Sequence, residues 1–100
     1  MKTLQMGEVT PVKLKAGVAQ SFEVDYTGWV QVGTFYTEED PQDGALVTVK
    51  ANGLDYVGML GRSTANFQSK GRTVVKISSP VSRAVHVVLK RGYVVKARPV

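Results

Sequence analysis

One hundred residues with 43% hydrophobic and 21% charged content make one globular domain with one modest core. The absence of cysteine excludes disulfides, thiolate metal sites and cysteine nucleophiles. Residues 1–60 hold four cations against eight acids and residues 61–100 nine cations against none, for a net charge of +5, which biases the surface toward an acidic partner or toward contacts between copies.

The start, Met1-Lys2-Thr3-Leu4-Gln5-Met6-Gly7-Glu8, lacks an apolar run of signal-peptide length. It reads as a flexible N-terminal arm ahead of a single domain over residues 9–100. No stretch reaches the roughly 20 apolar residues of a membrane span, so a soluble protein made in the cytoplasm is expected.

From there, alternation with period two dominates. The first strand falls near Thr10–Leu14, where Pro11 makes it an edge or a broken strand. Phe22, Val24 and Tyr26 alternate with Ser21, Glu23 and Asp25, predicting one buried and one wet face. Thr27-Gly28 reads as a turn, after which Val30, Val32 and Thr34 resume the pattern up to Phe35 and Tyr36. Val47 and Val49 open a hairpin whose reversal is Asn52-Gly53, the strongest such signal in the chain. Lys70-Gly71 reads as a further turn before a strand over Thr73–Ile77. Another follows over Ala84–Leu89, and Lys90-Arg91-Gly92 suits a reversal into a last strand over Tyr93–Ala97. β-branched and aromatic residues fill these windows. The expectation is an all-β antiparallel sandwich of about eight strands, jelly-roll-like or Ig-like.

Candidate chemistry is sparse. Glu38, Glu39, Asp40 and Asp43 cluster hard oxygen ligands of the kind calcium takes. They lack the alternating Asp/Asn pattern of a dedicated loop, so a solvated hairpin tip is the better reading. His86 is the only histidine; alone it makes neither a zinc site nor a triad. Gly58-Met59-Leu60-Gly61 lacks the Lys-Ser/Thr pair of a phosphate loop. No cofactor, no metal and no enzymatic activity are expected. The polar segment from Gly61 to Arg72 sets Arg62, Lys70 and Arg72 around Phe67, which allows phosphate contact or base stacking. Trp29 shares parity with Gln31 and Gly33, away from the main core, and suits an interface anchor as well as a buried rim residue.

The runs Val12-Lys13-Leu14-Lys15-Ala16-Gly17-Val18-Ala19-Gln20-Ser21-Phe22-Glu23-Val24 and Gly28-Trp29-Val30-Gln31-Val32 resemble the small head-decoration (cement) proteins of tailed bacteriophages, and small phage virion β-sandwich proteins more broadly. The resemblance is one of style over most of the chain. It implies a virion protein, commonly a homotrimer, sitting where capsomers meet and stiffening the shell, with residues 1–8 reaching neighbouring subunits of the major capsid protein. Trp29, Arg62, Phe67, Lys70, Arg72 and Arg83 are the candidate partner contacts. Weak contacts made several at a time would supply the holding energy by avidity. The competing class is a small basic nucleic-acid-binding β-domain; another virion adaptor or tail module is a third reading.

Overall fold

A computed structural model describes residues 1–39, 46–61 and 63–94. The chain adopts the all-β, mainly antiparallel class. Among the described residues seven strands are formed: β1 (Lys2–Leu4), β2 (Val9–Leu14), β3 (Gln20–Tyr36), β4 (Leu46–Ala51), β5 (Leu54–Met59), β6 (Ser63–Ser78) and β7 (Arg83–Arg91). Their ladders form one continuous path, β2-β7-β3-β6-β4-β5, with β1 parallel to the first part of β3.

Two expected turns are not reversals. Thr27-Gly28 lies inside β3 and Lys70-Gly71 inside β6, and the two sites face each other, with Thr27 opposite Lys70 and Gly28 opposite Ser69. A straight strand of 17 residues would run about 55 Å at about 3.3 Å per residue. The longest dimension of the molecule is 42 Å, so β3 must bend. Gly28 (φ 133°) and Gly71 (φ 104°) supply the backbone freedom for that bend. The hydroxyls of Ser69 and Thr73 lie 2.8 Å apart, although four residues of extended chain span about 13 Å. The β6 backbone therefore doubles sharply around Gly71.

The bend decides the architecture. Every buried residue of β3 is even-numbered and every buried residue of β6 odd-numbered, on both sides of it. The same sheet face is thus apolar from end to end, and folding it over lets both ends share one core. Val24, Val30, Val32, Val47, Val49, Val75, Ile77, Val85 and Val87 are fully buried there. Each such side chain contributes on the order of 1.5–3 kcal/mol by leaving water. Both ends of the path belong to one sheet because β3 and β6 run through both.

The chain's first residues are held in place. Leu4 is in the core, Gly7 N donates to Leu89 O at 2.8 Å, and β1 lies alongside Phe22–Val24. The last reversal differs from the expected hairpin: after β7, Gly92 N donates to Trp29 O at 2.9 Å, and Tyr93 and Val94 follow without joining a strand. The expected strand from there to Ala97 otherwise lies outside the described residues. The Asn52-Gly53 turn is formed as read, with φ of 52° and 74°, the left-handed pair that a two-residue hairpin requires.

Candidate binding groove

The polar segment from Gly61 to Arg72, expected to hold at most a short strand ending in a loop, is mostly β6. Its alternation is masked by small polar residues: Ala65, Phe67 and Ser69 face the core while Gln68, Lys70 and Arg72 are exposed. Because β6 doubles at Gly71, Lys70 and Arg72 flank the crest of the bend. The β4–β5 hairpin folds toward the same place, and Asn52 Nδ2 donates to Gln68 O at 2.9 Å. Between hairpin and bend lies an open groove of about 600 Å³, lined by Trp29, Asn52, Leu54, Tyr56, Phe67, Lys70 and Arg72 among others.

Its floor is aromatic. The Tyr56 ring sits 6.3 Å from that of Phe67 at 37°, within the range of favourable tilted pairs. Phe67 is only 2% exposed, so little of its ring is open to the groove. Trp29 is half-buried on the outer side of β3, opposite Gln68. Lys70 is exposed and lines the same groove. Arg72 Nε lies 3.0 Å from Glu23 Oε1 and is in register with Asp25, so the rim carries both signs of charge.

Four of the six candidate contacts, Trp29, Phe67, Lys70 and Arg72, are thus brought to one place. Arg83 is elsewhere: it opens β7, opposite Leu14, and is 7% exposed. It lies at the end of β7 remote from Gly92, which meets Trp29. Arg83 is largely buried there, apart from the groove. Arg62 lies outside the described residues. Tyr56, Asn52 and Leu54 join the groove without having been singled out as contacts, because only the folding-over of the hairpin carries them there.

The sequence matches no protein-family model. No curated protein and no solved structure shows significant similarity to it.

Other candidate chemistry does not assemble. His86 is half-buried, with Pro11 and Phe35 as its neighbours across the ladders. A second groove of about 590 Å³ beside it carries Lys13, Glu38 and Glu39. Asp40 and Asp43 of the acidic cluster lie outside the described residues. Among the described residues no group of three or more His, Asp or Glu side chains is placed to hold a metal ion. No helix among them is long and apolar enough to cross a membrane.

Proposed function

We propose that the chain is a non-enzymatic docking module that holds another protein by an extended segment laid in the groove at the bend. The observation carrying this is the convergence of Trp29, Tyr56, Phe67, Lys70 and Arg72 beside the hairpin. A concave aromatic surface with a few polar groups is what binding sites use, and tryptophan, tyrosine and arginine are the side chains that anchor protein contacts. Mixed charge at the rim selects the partner class. Glu23 and Asp25 beside Arg72 oppose a run of phosphates and tolerate a peptide with one acidic residue for Lys70. The finer role, decorating and stabilising a phage capsid as the style of the sequence implies, is a setting in which such a module serves. What suggests it is the style of the runs over residues 12–24 and 28–32.

Trp29 is the only tryptophan, so its emission reports occupancy of the groove directly. An acidic peptide with one aromatic residue should shift that emission and protect it from quenching. Lys70→Glu should weaken the effect roughly tenfold, the loss of one charged contact. An unshifted Trp29 with acidic peptides, together with a shift by single-stranded oligonucleotides, would replace docking by nucleic-acid binding. The finer role is tested by immunogold labelling of purified particles, where an unlabelled outer surface removes it.

A further inference from the structure

The two edges of the sheet are unlike. One edge, β2, carries Pro11, which has no N–H to offer, and the exposed Lys13; both are devices that blunt an edge. The other edge, β5, reads Leu54-Asp55-Tyr56-Val57-Gly58-Met59, with neither proline nor lysine. Among the described residues β5 pairs only with β4. Its apolar side chains stand in solvent: Leu54 is 60% exposed, Val57 63% and Met59 38%, beside Leu46 of β4 at 49%.

We propose that β5 pairs edge to edge and antiparallel with β5 of a second copy of this chain, with Val57 on the two-fold axis. The register follows from hydrogen bonding. Closure of the Asn52-Gly53 turn makes Ala51 and Leu54 a hydrogen-bonded pair, and alternation then leaves the backbone groups of Asp55, Val57 and Met59 pointing outward. Two such strands exchange hydrogen bonds only where outward-pointing residues meet. Centred on Val57, that sets Val57 against Val57 of the partner subunit and Asp55 against Met59 of the partner subunit.

Side chains agree with this register. The carboxylate of Asp55 faces a thioether instead of its own copy and keeps its Lys50 partner at 3.5 Å. Tyr56 falls opposite Gly58 of the partner subunit, where an aromatic ring covers a residue without a side chain. Val57, with the adjacent Met59 and Leu46, forms an apolar strip on the outer face that the second copy continues. The contact uses the same patch on both molecules, so it closes at two copies. The contact shares Leu54 and Tyr56 with the lining of the groove, yet it rests on the outward backbone of β5 and on Val57, which the groove does not use, so Val57→Lys and Lys70→Glu test the two separately.

Size-exclusion chromatography with light scattering on the intact chain tests the pairing. The expected result is a dimer that dissociates on dilution. Val57→Lys should give a monomer, and Val9→Lys, an exposed change on the blunted edge, should leave the dimer intact. A wild-type chain still monomeric at about 1 mM, where even a millimolar Kd would show, overturns the proposal, as does a dimer that survives Val57→Lys. Hydrogen exchange on the unaltered chain covers a variant that fails to fold. Amides of Asp55, Val57 and Met59 should be protected at high protein concentration and exchange freely at low, and exchange independent of concentration refutes the register.

Discussion

Thr34 places a hydroxyl in the fully buried part of β3 with no hydrogen-bond partner for Oγ1 among the described residues. A buried polar group left in this way costs about 1–3 kcal/mol. Valine has the same shape without the oxygen, so Thr34→Val should stabilise the protein by about 1 kcal/mol, read as an upward shift of several degrees in Tm. A lower Tm would show that the hydroxyl is engaged. Gly92 illustrates the opposite limit. A Cβ there would stand 2.8 Å from the backbone N and C of Val30, and it would meet the Asn66 side chain. That side chain in turn holds Tyr93 through its own N–H (3.0 Å to Tyr93 O) and its carbonyl (3.2 Å from Tyr93 N). Gly92→Ala should therefore cost about 1–3 kcal/mol by overpacking and free the segment after β7. At Gly53 nothing lies within 4 Å, and alanine there should cost only the left-handed backbone, about 1–2 kcal/mol. Comparing the two denaturation midpoints separates clash from backbone strain.

At the scale of elements, the β3–β6 ladder carries the groove, and its bend is built from backbone more than from packing. A Cβ at Gly71 meets nothing within 4 Å, yet φ there is 104°. Gly71→Ala should cost about 1–3 kcal/mol from conformation alone. It should also change Trp29 emission, because Lys70 and Arg72 move with the crest. An unaltered Trp29 spectrum in a folded variant would show that the groove does not depend on the bend. This is also where the sequence misled. A turn signal such as Thr27-Gly28 or Lys70-Gly71 is local, whereas whether the chain reverses there depends on what lies across the ladder. Gly28 and Ser69 are partners, so the two weak points coincide and produce a shared bend. Asn52-Gly53 was legible because a two-residue hairpin is decided within four residues. Trp29 was legible as outward-facing from parity, whereas Lys70 and Arg72 were read around a turn and owe their exposure to the even-numbered face of β6. Tyr56 was not, since its place beside Phe67 is fixed by how the β4–β5 hairpin folds against β6. Arg83 followed the same logic in reverse: charge suggested surface, but its parity with Val85 and Val87 put it inside.

Across the whole molecule, the charge segregation of the sequence is largely undone by strand pairing. The acid-free second half supplies β6 and β7, and these pair with β2, β3 and β4 from the first half. Arg72 consequently meets Glu23 and is in register with Asp25. Among the described residues, cations and acids are therefore interleaved, and the groove carries only Lys70 and Arg72. This has a quantitative consequence for the nucleic-acid alternative. A single strand laid in the groove meets two exposed cations, Lys70 and Arg72. At about −0.7 per neutralised phosphate, the slope of log K against log salt would be about −1.4, and affinity would fall only about sevenfold between 50 and 200 mM salt. Binders with six to ten phosphate contacts lose about a thousandfold or more over that range. Any oligonucleotide binding should thus be weak, shallow in its salt dependence, and removed by Lys70→Glu. Glu23→Gln should strengthen it, because Arg72 loses its carboxylate partner. A slope steeper than about −4, unaffected by Lys70→Glu, would reveal a basic surface beyond the groove and would favour nucleic acid over protein as the partner.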